Sequence, residues 1–362
     1  MIYLDYAATA PMSEVALQSY VEVAQHYFGN SSSLHDVGGQ AQHYVEQARK
    51  VIAQKLGVST DGIIFTASGT EGNLLAILSL AKASTRGKHI ITSKAEHTSV
   101  HAAMNILEEQ GYEVTKIDLL ANGAVNVQQI EQAIRSDTSI ISIQHINSEI
   151  GVIQPIEQIA HIARREGVLM HTDCVQSFCK QAIQPFSNAV DAITVSAHKI
   201  GGPKGCGAIY INPVLNVRSL TPGVTHERGL RGGTVDTPAV VAFAVATEQY
   251  VYDETYYQEL RQQLIGQLPK QYKVIQCNEQ MPTICSLFCE NYEGQYILLK
   301  LNEVGICIST GSACDIRSDS GTKAILAMGY TASDARKFAR ISFGPATTSQ
   351  QIDELIVALK RI

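Results

Sequence analysis

The chain contains 362 residues, of which 45% are hydrophobic and 17% are charged, and its formal net charge is -6. These values predict a compact globular protein of about two or three domains, and the scattered Lys and Arg residues give no basic stripe for nucleic acid. The sequence has no apolar run of about 18 residues, which argues against a membrane-spanning helix. The first residues, MIYLDYAATAP, lack the basic flank of a secretory signal, so a cytoplasmic location is expected.

The first two-thirds of the sequence alternates strand-like and helix-like patterns. Short apolar, β-branched runs predict seven strands, at 62–66, 89–93, 112–118, 138–146, 168–172, 191–196 and 207–211. Apolar residues at helical spacing predict helices between them, at 70–83, 97–110, 126–135 and 156–166. This order predicts an α/β fold with a mainly parallel seven-stranded sheet, whose ligands bind at the carboxyl ends of the strands.

The pattern changes after a long helical region at 237–268 that is broken near 252–254. Strand-like runs then alternate with helical ones, the strands at 272–277, 283–289, 305–309 and 338–343 and the helices at about 293–302, 322–328 and 348–361. This part predicts a smaller α+β domain. We therefore expect a large domain at 15–250 and a small domain formed by 1–14 and 251–362.

The eight cysteines show no CxxC spacing, so neither a disulfide framework nor a structural zinc site is expected. Most of those in the second half lie in or beside apolar runs, where a free cysteine acts as a small hydrophobic residue, namely Cys206, Cys277, Cys285, Cys289 and Cys307. Cys314 differs, because STGSACDIRSDSG (309–321) surrounds it with small and charged residues. This context predicts an exposed, nucleophilic thiol.

Polar side chains follow two neighbouring strands of the predicted sheet. The stretch VSAHKIGGPKG places Ser196, His198 and Lys199 at the end of one strand, and LMHTDCVQ places Asp173 and Gln176 at the end of the strand before it. A carboxylate at the end of an apolar strand is costly to bury unless it is paired. The alternative for Lys199 is an ordinary surface loop, where most lysines lie.

A third polar cluster lies between a strand and a helix in IIFTASGTEGN. The first N–H groups of the helix are free there, and the helix dipole favours an anion. Ser68 and Thr70 add hydroxyl donors, and Gly69 permits close approach of the backbone. The alternative is simple capping of the helix by Thr70.

Together the three clusters meet the requirements of pyridoxal 5′-phosphate. This cofactor needs a lysine for a Schiff base, a carboxylate beside its pyridinium nitrogen and a cradle for its phosphate. The sequence contains neither a GxGxxG stretch after a strand nor a GxxxxGK[ST] motif, so dinucleotide-binding and P-loop sites lack their phosphate signatures.

The whole chain resembles the cysteine desulfurases of the NifS/IscS type, which are class V aminotransferases of fold-type I. The motifs that carry the resemblance are YLDYAAT (3–9), FGNSSSLH (28–35), TEGN (70–73), EH (96–97), HINSEIG (145–151), HTDCVQ (171–176), SAHKIGGPKG (196–205), HERGLRGGT (226–234), STGSAC (309–314) and RISFG (340–344). The chain departs from the usual family pattern at Ala10, Leu74 and Gly201.

The resemblance implies a role for each cofactor-binding residue. Lys199 would form the Schiff base, Asp173 would pair with the pyridinium nitrogen, and Gln176 would donate to the phenolic oxygen. The residues that would bind the phosphate are Gly69, Thr70, Ser196 and His198.

The resemblance also implies roles around the substrate. His97 would stack on the cofactor ring and move protons. Asn147, beside the cofactor, and Arg340 would bind the substrate carboxylate, for which the planar guanidinium is well suited. Thr234 would bind phosphate in the neighbouring subunit's site, which makes the expected enzyme an obligate homodimer.

The expected reaction converts L-cysteine to L-alanine and leaves the sulfur on Cys314 as a persulfide. An acceptor protein would then take this sulfur, either an iron–sulfur cluster scaffold, a tRNA-thiolation protein or one dedicated apoenzyme. No metal ion, nucleic acid or membrane is an expected direct partner. The alternatives are a selenocysteine lyase/desulfinase or an aminotransferase of the same family, and a scaffold that retains the fold without catalysis.

Overall fold

The computed structural model describes residues 1–277, 279–311 and 322–362 of the chain. Its strands are β1 (Ile2–Tyr3), β2 (Ile63–Thr66), β3 (His89–Ser93), β4 (Glu113–Ile117), β5 (Thr138–Ser142), β6 (Leu169–Asp173), β7 (Ala192–Ser196), β8 (Gly207–Ile211), β9 (Tyr272–Val274), β10 (Ile284–Cys289), β11 (Ile306–Cys307) and β12 (Phe338–Ser342). Its helices are α1 (Glu14–His26), α2 (Asp36–Leu56), α3 (Gly69–Ala83), α4 (Thr98–Glu109), α5 (Val127–Ala133), α6 (Ile156–Arg165), α7 (Gln184–Ser187), α8 (Thr237–Gln249), α9 (Glu254–Gln267), α10 (Gly294–Glu303), α11 (Lys323–Ala327), α12 (Ala332–Ala335) and α13 (Ser349–Leu359).

Within these described ranges the main sheet has seven strands in the order β2-β8-β7-β6-β5-β3-β4. Strand β8 pairs antiparallel with β2 and β7, and the other neighbours pair in parallel. Six of these strands are buried along nearly their whole length, as expected for a sheet covered by helices on both faces, whereas the edge strand β4 is partly exposed. The predicted α/β fold with a mainly parallel seven-stranded sheet is confirmed.

The predicted strands agree with the structure to within two residues, except for 138–146, where β5 ends at Ser142, and 272–277, where β9 ends at Val274. Beyond Ser142 the N–H groups of Ile143 and His145 still donate to the His171 and Asp173 carbonyls of β6. The N–H of Gln144, which points away from β6, donates to the Glu96 carboxylate, so the regular strand ends there. The predicted break in the 237–268 helix lies between α8 and α9.

No prediction covered α1 and α2, although both carry clear start signals. Ser13 caps α1 through its side chain, and the ring nitrogen Nδ1 of His35 accepts from the N–H of Gly38 at the start of α2. Helix α2 ends at Gly57, whose φ of 72° suits a glycine C-terminal cap.

The second part of the chain forms a small three-stranded sheet, β12-β10-β9, and β11 pairs in parallel with β1 from the beginning of the sequence. Ile2 and Leu4 are buried in the same hydrophobic cluster as residues of α9, α10 and α13. By contrast, Ala324 and Ile325 of α11 pack in the cluster of the main sheet. The domain boundaries at 14/15 and 250/251 stay a prediction.

The cysteines expected to pack inside the protein do so to different degrees. Cys206, Cys285 and Cys289 are buried, and Cys277 and Cys307 are half-buried. Cys314 lies outside the described residues. Over the ranges that the structure covers, no helix is long and apolar enough to cross a membrane.

Candidate active site at the carboxyl edge of the main sheet

The residues predicted from three separate strand ends meet at one edge of the sheet. Strands β2, β6 and β7 run in the same direction, so their carboxyl ends lie side by side. There they enclose a cavity of about 160 Å³. Its lining includes nine of the residues predicted for the site, namely Gly69, Thr70, His97, Asp173, Gln176, Ser196, His198, Lys199 and Arg340.

Lys199 ends a short 3-10 turn that follows β7, and its amine is already held in place. The Nζ atom donates to the backbone carbonyls of Ala7 at 2.6 Å and Ala8 at 2.8 Å. Ala7 and Ala8 also line the cavity, so the amino-terminal segment forms one of its walls. Sequence reasoning assigned no role to these two alanines, although they belong to the YLDYAAT motif.

Asp173 is buried at the end of β6, where both carboxylate oxygens have a donor. Asn73 Nδ2 donates to Oδ2 at 2.7 Å, and the Val175 N–H donates to Oδ1 at 2.9 Å. Asn73 also donates to Ser99 Oγ on α4. Asn73 therefore fixes the orientation of the carboxylate. Asn73 belongs to the TEGN motif, but the sequence around it does not show that its side chain contacts Asp173.

The turn from β2 to α3 has the shape of an anion cradle. Ser68 caps α3 by accepting from the Glu71 N–H at 3.1 Å, so the alternative in which Thr70 only caps the helix is wrong. A Cβ at Gly69 would lie 2.9 Å from Val175 Cγ2 and 3.5 Å from Ser196 Cβ, which shows how closely the backbone approaches the neighbouring strand ends. Glycine is required here by this approach.

His198 borders the same cavity in its neutral form. Burial, aided by the positive charges of Lys199 and Lys204, lowers the pKa of His198 to about 3. Its Nδ1 atom lies 3.1 Å from Thr9 Oγ1. A neutral imidazole can donate one hydrogen bond to an anion without adding positive charge to a site that contains lysines.

His97 both caps a helix and borders the cavity. It is the N-cap of α4, where Nδ1 accepts from the Ser99 N–H at 3.2 Å, and it also lines the cavity. Capping fixes the ring orientation, because Nδ1 also lies 2.7 Å from Ser99 Oγ.

Arg340 is buried on β12 and reaches the cavity from the smaller sheet. Its guanidinium donates to the Ser148 carbonyl and to Asp5 Oδ1, both at 2.9 Å. Its Nε atom has no hydrogen-bond partner among the described residues. The two contacts fix the plane of the guanidinium while leaving donor capacity for a ligand.

Two of the predicted site residues that the structure describes, Asn147 and Thr234, do not lie in the cavity lining. Asn147 is buried beside it, but its amide donates to the Ala95 carbonyl and accepts from the N–H groups of Glu149 and Ile150. Thr234 is exposed on a loop outside the cavity of its own chain. Cys314 lies outside the described residues, so the structure does not report on it.

Comparison with known proteins agrees with this geometry. The class-V aminotransferase family model matches residues 2–355. The chain is 42% identical to a NifS protein of Bacillus subtilis, over 98% of this chain and 93% of that protein. It is 35% identical to the cysteine desulfurase IscS of Dictyoglomus turgidum, over 100% of this chain and 94% of that protein.

Solved structures show the same fold over the full length. A NifS-like protein superposes with a TM-score of 0.91 at 29% identity, covering 99% of this chain and 98% of the other. The protein SspA, solved in complex with cysteine, superposes with a TM-score of 0.86 at 33% identity, covering 96% of this chain and 100% of the other. The chain therefore belongs to the class-V aminotransferase family, and within it to the NifS/IscS group of cysteine desulfurases.

Proposed function

We propose that this chain is a pyridoxal 5′-phosphate-dependent cysteine desulfurase, which converts L-cysteine to L-alanine and transfers the sulfur to Cys314. The observation that carries the proposal is the convergence of Lys199, Asp173 and the 68–70 turn on one cavity. Relatives named cysteine desulfurase match the whole chain, and a related structure contains cysteine.

The residues present fit the cofactor, as their unused hydrogen-bonding capacity indicates. Ser196 Oγ and Gln176 Oε1 are buried and have no hydrogen-bond partner among the described residues. Both residues line the cavity, and the close backbone at Gly69 leaves room there for a phosphate rather than a side chain. Buried polar atoms without partners are rare in proteins and are explained when a ligand supplies the partner.

In this proposal each side chain has a distinct task. When bound, pyridoxal phosphate supplies an electron sink for bonds at Cα of an amino acid. Lys199 would hold the cofactor and, once released, move the proton from the substrate Cα. Asp173 would keep the pyridinium nitrogen protonated, because a nearby carboxylate favours the charged form.

The phosphate would lie at the start of α3, where Thr70, Ser196 and His198 add donors to the free N–H groups of the helix. Gln176 Nε2 already donates to the Ala7 carbonyl at 2.9 Å, so Gln176 would bind the phenolic oxygen through its second amide N–H. His97 would stack on the ring. Arg340 would bind the substrate carboxylate, with Asn147 shaping that side of the cavity through the backbone.

The sulfur transfer needs a nucleophile, and Cys314 is our candidate. Its thiolate would form an S–S bond to the substrate sulfur while the Cβ–S bond breaks. The electron pair of the broken bond would stay with Cβ, which takes up a proton, so the products are L-alanine and a Cys314 persulfide. The persulfide sulfur would pass to an iron–sulfur scaffold or a thiolation protein. A cytoplasmic location and a homodimer, with Thr234 at the other subunit's phosphate site, are part of the same proposal.

Substitution of Cys314 tests the proposal. We expect Cys314→Ser to abolish formation of alanine and persulfide from L-cysteine while the Schiff-base absorbance stays unchanged, because serine is not a sulfur nucleophile. Cys277→Ser, a half-buried cysteine outside the cavity, is the matched control and should keep its activity. Unchanged alanine formation in Cys314→Ser would exclude this role.

Parallel assays separate the alternatives. A selenocysteine lyase would release alanine from selenocysteine in the Cys314→Ser variant, and an aminotransferase would consume amino acid and oxo-acid pairs without releasing sulfide. Purified protein without a Schiff-base absorbance band would favour the catalytically silent scaffold.

A further inference from the structure

A second polar cavity, of about 400 Å³, lies apart from the proposed active site. Its walls are Lys55 at the end of α2, the segment 178–184 after β6, and residues 250–254 between α8 and α9. It shares no lining residue with the cavity that contains Lys199. The segment 250–254 is where the chain passes from the main sheet's core to the small sheet's core.

Lys180 is an unusual residue in this cavity. Over the described part of the chain its side chain has no hydrogen-bond or ion-pair partner, and burial lowers the pKa of Lys180 to about 8. The carboxylate of Glu254 lines the same cavity but accepts from Gln258 Nε2 at 3.3 Å rather than from Lys180. A partly buried ammonium group without a counter-ion costs free energy, and a bound anion would offset this cost.

The backbone before Lys180 is held in a conformation that is rare for a residue with a side chain. Cys179 has a φ of 64°, in the left-handed region. The turn is closed by the N–H of Lys180, which donates to the Ser177 carbonyl at 2.8 Å, and the Cys179 thiol packs 3.9 Å from the Thr247 carbonyl. Such strain persists where surrounding structure enforces it, and here it fixes the placement of Lys180 in the cavity wall.

The charges of the cavity favour a negative ligand. Lys55 and Lys180 contribute two positive charges against the one carboxylate, Glu254, found in its described lining. The side-chain amide of Gln184 donates to the Lys55 carbonyl at 2.7 Å, which ties the end of α2 to the segment that carries Lys180. The two lysines are thus placed on walls that the fold itself holds together.

We propose that this cavity binds a small oxyanion, the carboxylate or phosphate group of a metabolite, through Lys180 and Lys55. The inference is independent of the reaction proposed above. An anion here would bridge the wall formed by α2 and 178–184 to the connection between α8 and α9. It would also screen the charge of Lys180, which is one of the positive charges that act on His198 in the proposed active site.

The first test measures anion binding to the holoenzyme, so that the cofactor fills its own phosphate cradle. Inorganic phosphate and acetate are titrated separately, with NaCl at matched ionic strength as the reference, and the unfolding temperature is recorded. We expect at least one of these anions to raise the unfolding temperature of the wild type, because a ligand of the native state stabilises it. Comparison of the rise in unfolding temperature with phosphate and with acetate shows whether the cavity binds a phosphate or a carboxylate group.

Two variants test whether Lys180 is responsible for the rise in unfolding temperature. Lys180→Met should lose the response, and it should fold because it removes a charge without leaving a buried polar partner. Lys50→Met, an exposed lysine on the same helix as Lys55, should respond like the wild type. An equal response in Lys180→Met, or no response of the wild type to either anion, would overturn the proposal.

A second measurement follows the ionisation of Lys180 in the wild-type protein. Lysines are labelled by reductive ¹³C-methylation, and the Lys180 signal, assigned by its absence in Lys180→Met, is followed with pH. We expect its pKa to rise from about 8 without added anion towards the ordinary lysine value in saturating phosphate or acetate. A Lys180 pKa that does not change with either anion would contradict the proposal.

Discussion

Glu96 is a fully buried carboxyl group directly before His97. Its Oε1 atom accepts from Ser93 Oγ at 2.6 Å, and Oε2 accepts from the Gln144 N–H at 3.0 Å. It therefore joins the loops that follow β3 and β5 beneath the cavity. Burial, together with the nearby negative charge of Asp173, raises the pKa of Glu96 to about 8.

This pKa predicts a specific dependence of stability on pH. Because the folded state holds the proton more tightly than the unfolded chain, the stabilisation is present at low pH and is lost as pH rises through about 8. We expect the free energy of unfolding to fall by roughly 2–3 kcal/mol between about pH 6 and pH 9 on account of this group. Urea unfolding across this pH range, at fixed cofactor occupancy, measures the fall in the free energy of unfolding.

Glu96→Gln should flatten the profile in that range, because a glutamine does not ionise. The exposed Glu22→Gln on α1 should keep the wild-type slope. Identical slopes in the wild type and Glu96→Gln would show that Glu96 does not titrate in this range.

At the scale of elements, α2 is attached to β2 and to the 226–234 loop through Arg49. The guanidinium donates to both carboxylate oxygens of Glu227, at 2.8 and 2.9 Å, and to the Ile63 carbonyl at 2.7 Å. Arg49 and Glu227 are both buried. Glu46, which also contacts Arg49, has a side chain that is 43% exposed.

The two carboxylates that share Arg49 should therefore differ in importance. We expect Glu227→Gln to lower the free energy of unfolding by about 3 kcal/mol, because it removes the buried counter-ion of the guanidinium and leaves only the half-exposed Glu46. Glu46→Gln should change it by less than about 1 kcal/mol, since the exposed pair is screened by water. Urea unfolding compares both variants, and equal losses would contradict this assignment.

At the scale of the whole molecule, the amino-terminal segment links the two cores. Ile2 pairs with Ile306 in the small core, Asp5 binds Arg340, and the Ala7 and Ala8 carbonyls accept from Lys199. A short segment thus connects the residue proposed for the substrate carboxylate with the residue proposed for the cofactor. The positions of both residues therefore depend on the same segment.

The position of Thr234 makes a prediction about the dimer. If Thr234 serves the neighbouring subunit's site, a mixed dimer of a Lys199→Ala chain and a Thr234→Val chain retains one complete site. We expect the site of this mixed dimer that contains Lys199 to bind pyridoxal phosphate more tightly than the sites of the Thr234→Val homodimer, as measured by titration of the cofactor into the apoproteins. Equal affinities would place Thr234 in its own subunit's site, since the Lys199 site of the mixed dimer would then also lack Thr234.

Much of the fold and of the site could be predicted because its signals are local. Seven apolar runs separated by helical patterns indicated the sheet, and polar residues directly after the strands indicated its active edge. Lys199, Asp173 and Gly69 could be found in this way, since parallel strands bring their carboxyl ends together whatever the connections between them.

The tertiary structure alone decided the contacts between distant residues. Asn73 beside Asp173, Glu227 beside Arg49 and Asp5 beside Arg340 are separated by 100, 178 and 335 positions. The same holds for Asn147, whose amide is occupied by backbone groups, and for Lys180, which has no partner among the residues that the structure describes. A sequence pattern records which face of an element is buried, whereas the pairing of buried polar groups depends on how the elements pack.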